Sequence, residues 1–262
     1  MLFSDVLGSM KRTGDTWAVH ISADWLQGRS AFGGLQGALA LRALQAIAPE
    51  HPLRVLQTTF LAPVNEGTAR IEARILRAGK TTVHAEARIF DGENLAATVL
   101  GIFGKSRPSE IRVAPKQRVV ERAPPPLVPA ERPRFLPAFL QHFDARWLRG
   151  APPGSGSPLP EAVVEVTLHD PGPATEAHVL AIADATPPIG LSMLKTASPG
   201  SSLTWMLEMI REGNFAELPL AGWRLDVELI AAGGGYTSQS EIVWGPGGEA
   251  VAVSRQCMVI FG

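Results

Sequence analysis

From Ala69 to Ile75 the chain alternates strictly, with apolar residues at odd positions and charged residues at even ones. The same parity returns from Val83 to Ile89. Such a period of two predicts strands with one face on a core and the other in solvent. Asp91-Gly92 is a hairpin signal, and Leu95 to Phe103 reads as a third strand, apolar on both faces. Trp223 to Leu229 alternates as cleanly, and Gly247-Gly248 leads into a closing strand from Ala250 to Phe261. Further strands are expected over Phe135 to Leu148 and Ala162 to Leu168. Gly37 to Ala48 breaks this rhythm, being Ala- and Leu-rich on nearly every side with no β-branched residue before Ile47. It predicts a helix buried all round, stopped by Pro49 and Pro52. A second helix is expected to start at Thr186-Pro187-Pro188, with Thr186 as its cap. Because helices do not alternate with strands, the class is α+β, a sheet wrapped around a buried helix, and not βαβ winding.

The pattern occurs twice. Phe32-Gly33-Gly34, Leu76-Arg77-Ala78-Gly79-Lys80 and Gly101-Ile102-Phe103-Gly104 mark the first copy. Ala183-Asp184-Ala185-Thr186-Pro187-Pro188, Ala231-Ala232-Gly233-Gly234-Gly235 and Val259-Ile260-Phe261-Gly262 mark the second. Between the copies, eight of the thirty residues from Pro108 to Pro137 are proline, which rules out a central strand or a continuous helix there. The expected organisation is therefore residues 1–107, a surface-laid linker over 108–134, and residues 135–262. Ala151 to Pro158 reads as a flexible loop.

Composition narrows the function classes. Apolar residues make up 45 % of the 262, enough for a core without a metal or disulfide staple. The single cysteine, Cys257, permits no intrachain disulfide, as in a reducing compartment. A net charge of -1 disfavours a nucleic-acid partner. The first residues lack the cationic start and apolar core of a signal peptide, and no apolar run reaches membrane-spanning length, so a cytoplasmic, non-membrane protein is expected.

Familiar catalytic signatures are missing from the sequence: no phosphate-binding loop, no H-E-x-x-H, no nucleophile elbow. The six histidines are scattered, so no metal site is expected, and no cofactor motif is present. Gly33-Gly34-Leu35-Gln36-Gly37 is not a dinucleotide fingerprint, because no strand–helix–strand unit surrounds it. Three residues of the second copy carry chemistry. Asp184 sits in the apolar run Val179 to Ala185, where a capping or turn acid is the plain alternative. Gln256 interrupts a strand face continued by Met258 and Ile260, where an edge-exposed amide is the alternative. Ser202 follows Pro199-Gly200, where an ordinary turn hydroxyl is the alternative. Together a carboxylate, a hydroxyl and an amide can hold and deprotonate a water. No strong nucleophile accompanies them, which favours direct attack by water over a covalent intermediate.

The order and spacing of Phe32-Gly33-Gly34, Phe60-Leu61-Ala62-Pro63, Leu76-Arg77-Ala78-Gly79, Ala183-Asp184, Ser202-Leu203 and the Gln256 strand resemble the acyl-CoA thioesterase II (TesB-like) family. The resemblance covers residues 12–107 and 135–262. It implies a double hotdog, two long antiparallel sheets each wrapped around a central helix in one pseudo-dimeric unit. It also implies hydrolysis of acyl-CoA, of medium or long chain, to free acid and CoA. By resemblance Asp184 is the general base, Ser202 and Gln256 position the water, and backbone N–H groups near Gly33 and Gly34 polarise the thioester carbonyl. Thr204 stands where many relatives carry an acid, two residues beyond Ser202 on the same strand face, and is the alternative hydroxyl. Gly34-Leu35-Gln36 replaces the Gly-Gly-Gln common in relatives. A hotdog module that binds acyl chains without hydrolysing them is the second reading. A hotdog hydratase is disfavoured, because no His neighbours Asp184 in sequence. Fused halves leave homodimerisation open.

Overall fold

The computed structural model describes residues 1–120, 136–211 and 214–261. Fourteen strands and four α-helices follow in chain order. In the first half, α1 (Phe3–Gly8), β1 (Lys11–Thr13) and β2 (Thr16–Ile21) precede the small β3–β4 hairpin (Leu26–Gln27, Ser30–Ala31). Then come α2 (Gly33–Ile47), β5 (Leu53–Phe60), β6 (Gly67–Ala78), β7 (Thr82–Asp91) and β8 (Asn94–Gly104). The second half holds β9 (Phe143–Arg149), β10 (Glu161–Leu168), α3 (Glu176–Ala183) and α4 (Ile189–Met193). It closes with β11 (Gly200–Met209), β12 (Trp223–Gly233), β13 (Tyr236–Trp244) and β14 (Ala250–Ile260).

Twelve strands form one sheet in the order β1-β2-β6-β7-β8-β5-β11-β14-β13-β12-β10-β9. Read outward from its middle, each half repeats the same succession, so β5 corresponds to β11, β8 to β14, β7 to β13 and β6 to β12. The two sheets of the double hotdog meet edge to edge, where β5 pairs antiparallel with β11. That junction removes two free sheet edges from solvent.

Helix α2 lies buried as its composition requires, from Gly34 through Leu44 at every position but Arg42. It starts at Gly33, four residues before the stretch of unbroken helix formers, and ends at Ile47, before Pro49. The alternation holds from Ala69 to Ala73 in β6 and from Ala85 to Ile89 in β7, where Ala69, Ile71, Ala73, Ala85, Ala87 and Ile89 face the core, but fails at Ile75, which is 45% exposed. Asp91-Gly92 makes the expected hairpin, with Gly92 at φ +59, a left-handed conformation that a side chain would strain.

Several expectations are corrected. Thr186 caps no helix. The residues before it, Glu176–Ala183, are the helix, and Thr175 caps it by accepting from the His178 N–H. The short α4 begins only after Pro188. Of the strand expected from Phe135, that residue lies outside the described ones, Ala138–His142 form a 3-10 turn, and the strand starts at Phe143. Gly154, Gly156 and Ser157 donate to the carbonyls of Leu191, Leu194 and Ser192, so the loop from Ala151 to Pro158 is pinned to α4 and its exit. Asp226, on the expected solvent face of β12, is buried. Arg224 and the Arg118 backbone N–H both donate to its carboxylate, the latter at 2.8 Å, because the start of the proline-rich segment lies over β12. Residues 121–134 of that segment lie outside the described ones.

The sequence echoes also register unevenly. The glycine turns at Gly79 and at Gly234-Gly235 sit between corresponding strands. By contrast, Phe103 pairs with Val83 as Met258 pairs with Thr237, so Phe103 corresponds to Met258 and not to Phe261. Phe32-Gly33-Gly34 opens α2, whereas Ala183-Asp184 closes α3. These two segments are not equivalent; they are neighbours, and that contact builds the site.

Candidate active site

Helix α3 ends at Asp184, whose backbone N–H still reaches the Leu180 carbonyl at 3.3 Å. Its carboxyl turns to the start of α2, where the Gly34 backbone N–H donates to it. The first N–H groups of a helix have no partner within the helix and carry its positive end, so they suit a carboxylate. Gly33 allows the approach: a Cβ there would stand 2.6 Å from Asp184 Oδ2. A Cβ on Gly34 would stand 3.0 Å from the Ala181 Cα, so the two glycines also let the helices of the two halves touch.

The amide of Gln256 completes the arrangement. Its Nε2 donates to Asp184 Oδ1 at 3.0 Å and to Ser202 Oγ at 2.8 Å. As the acceptor in that second bond, Ser202 keeps its own proton for another partner. The register explains how Ser202 arrives there. Trp205 pairs with Gln256 and Ser202 with Met258, but a bulge at Leu203 separates the two pairs. The extra residue puts Ser202, Trp205, Gln256 and Met258 on the inner face. Thr204 pairs with Cys257 and is exposed on the outer face. The expectation that Thr204 shares the face of Ser202 is thus overturned by the bulge, which reverses the parity of the strand.

The structure therefore brings Asp184, Ser202 and Gln256 into one hydrogen-bonded group beside Gly33 and Gly34, and leaves Thr204 outside it. Each element comes from a different part of the chain: the end of one helix, the start of another, and two adjacent strands. The expectation for the Gly34 N–H is modified, since this group is engaged by Asp184 and not left for a substrate carbonyl.

Burial pushes the Asp184 carboxyl up to about 7, against the opposing pull of the Gln256 amide and the Gly34 N–H. As a whole residue Asp184 is only partly buried. A carboxyl near neutrality is suited to taking and returning a proton at ordinary pH.

One feature escaped the sequence reading. Glu241 is buried on the inner face of β13, where Thr186 Oγ1 donates to its Oε2 at 3.1 Å. Next to it Gln239 Oε1 accepts from the Ile189 N–H at 3.1 Å. The signal was present: from Tyr236 to Glu241 every residue is polar, where the corresponding β7 alternates.

Models of two domain families match the chain, the acyl-CoA thioesterase N-terminal domain over residues 21–104 and the acyl-CoA thioesterase C-terminal domain over residues 120–260. The chain belongs to the acyl-CoA thioesterase family. It is a thioester hydrolase. Solved structures share the fold throughout. A hot dog fold protein from Alicyclobacillus acidocaldarius has a TM-score of 0.83 at 21% identity, covering 99% of this chain and 98% of its own. The tesB protein of Mycobacterium avium subs paratuberculosis has a TM-score of 0.78 at 15% identity, with 100% of both chains covered. Acyl-CoA thioesterase II TesB2 of Mycobacterium marinum has a TM-score of 0.73 at 18% identity, covering 100% of this chain and 97% of its own. No curated protein matches the sequence. No helix among the described residues is long and apolar enough to cross a membrane.

Proposed function

We propose that this thioesterase hydrolyses acyl-CoA by direct attack of a water activated by Asp184. The observation that carries the reading is the Gln256 amide bonded at once to Asp184 and Ser202. In this scheme a water lies between the Asp184 carboxylate and the Ser202 hydroxyl. Asp184 takes its proton as the oxygen attacks the thioester carbon, and the positive end of α2 offsets the charge that develops beside it. The proton on Asp184 is then available to the departing CoA thiolate, which restores the base. The amide holds both partners of the water at fixed spacing, and such positioning lowers the entropic part of the barrier. The proposed substrate is acyl-CoA of medium or longer chain.

The test is thiol release across acyl-CoA chain lengths by wild type and Asp184→Asn. The substitution keeps the size and an acceptor for Gly34, and it should cut turnover by about 10²-fold or more, the scale of a lost general base. Near-normal turnover in the variant would remove Asp184 from the mechanism. Tight binding of acyl-CoA with thiol release at background in wild type would favour a non-hydrolytic binder.

A further inference from the structure

The interiors of the two halves differ in a way that hydrolysis alone does not require. Corresponding positions follow from the pairing, since Ala85 lies opposite Gly101 and Ala87 opposite Val99, as Gln239 lies opposite Gln256 and Glu241 opposite Ser254. Along β7, the inward residues Val83, Ala85 and Ala87 are apolar. Along β13 their counterparts are Thr237, Gln239 and Glu241, all buried. The first half lays the 15-residue α2 over its sheet. The second breaks its helix at Asp184 and crosses the polar strand with Thr186 and the single turn of α4.

Three polar atoms in this region have no partner among the described residues: Glu241 Oε1, Thr237 Oγ1 and Ser192 Oγ. Their residues are 4%, 6% and 2% exposed. Buried polar groups are nearly always bonded, and an orphan costs stability, so Glu241 Oε1, on a strand whose counterpart in the first half is apolar inside, points to a group that meets it. Glu241 is placed to reach a ligand that enters past Asp184. It lies one strand over and two residues along from Gln256, an offset of about 8 Å between backbones.

We infer that the acyl group this enzyme prefers carries a hydroxyl or keto oxygen several carbons beyond the thioester, held by Glu241. Burial pushes the Glu241 carboxyl well above the usual carboxylate range, with the charges of Asp184 and Asp226 adding to it. Because Thr186 donates to Oε2, the proton of the neutral acid sits on Oε1, facing a ligand oxygen as a donor. This inference rests on the thioesterase reading and adds the substrate class to it.

The experiment compares kcat/KM for hexanoyl- and octanoyl-CoA with that for the same esters bearing one hydroxyl at successive carbons. At one hydroxyl position wild type should favour the hydroxylated ester by about tenfold or more, because a buried donor left unpaired by the plain chain penalises it. Glu241→Leu should collapse that ratio toward one. Should this variant fail to fold, Glu241→Met, which keeps the length of the side chain and loses both carboxyl oxygens, should collapse the ratio in the same way. Equal or better turnover of the plain esters at every position, still abolished by Asp184→Asn, would overturn the inference and leave the thioesterase reading standing. Absence of hydrolysis of any ester by wild type would overturn both.

Discussion

If burial holds the Asp184 carboxyl near neutrality, its ionisation must cost the fold. The carboxyl titrates at about 7 in the folded protein against 3.8 when unfolded. Below the lower value both states are protonated and Asp184 costs nothing. Between the two, the unfolded chain loses its proton while the folded one retains it, so stability falls as pH rises, and the loss levels off above about 7. The gap spans roughly three pH units at about 1.4 kcal/mol each, an upper bound on the order of 4 kcal/mol. Relaxation of the site around the charge keeps the expected figure below this bound. Asp184→Asn removes the titration and keeps the shape. Denaturant unfolding of both proteins from pH 4 to pH 8.5 should show near-equal stability at the acid end and a variant increasingly more stable as pH rises. A stability difference that stays constant with pH would refute the reasoning, because it would mean that Asp184 ionises in the folded protein as it does in the open chain.

Two further substitutions separate the parts of the site. Ser202→Ala should lower kcat by about 10- to 100-fold, since Gln256 loses one of its two acceptors and the water loses its hydroxyl partner, while Thr204→Val on the outer face should stay within about twofold. Reversed outcomes in the same thiol-release assay would assign the hydroxyl to Thr204. Gly33→Ala places a methyl 2.6 Å from Asp184 Oδ2 and should cost about tenfold or more in kcat. Its melting temperature should change little, because the atom that must give way is the end of a side chain and not backbone; a fall in melting temperature that parallels the fall in kcat would show a folding defect instead.

Much of the fold was legible because it rests on local signals. The period of two in β6 and β7, the Asp91-Gly92 turn, and the Ala/Leu run of α2 each specify an element without reference to the rest of the chain. Errors arose where distant parts decide. Asp226 reads as a solvent residue within its strand, and only the overlying Arg118 segment buries it. Val179–Ala183 is too uniformly apolar to show helical periodicity, so the proline pair after it puts the expected helix start, Thr186, three residues beyond the observed end. The bulge at Leu203 leaves no mark in sequence, yet it decides which hydroxyl faces Gln256. Asp184, Ser202 and Gln256 were found through their polar character in apolar settings and through family resemblance. Glu241 was missed because a run of polar residues reads as an exposed strand. Gly33 and Gly34 were noticed for a backbone N–H, but their closer task is to admit the Asp184 carboxylate to the start of α2.

The measurement that bears most directly on Asp184 as the base is the pH dependence of kcat/KM for acyl-CoA hydrolysis in wild type and Asp184→Asn. The wild-type value should fall about tenfold per pH unit on the acid side of a midpoint near the Asp184 carboxyl, about 7, and the residual activity of the variant should show no such limb. The same acid limb persisting in Asp184→Asn would contradict the account, because another group would then be taking the proton.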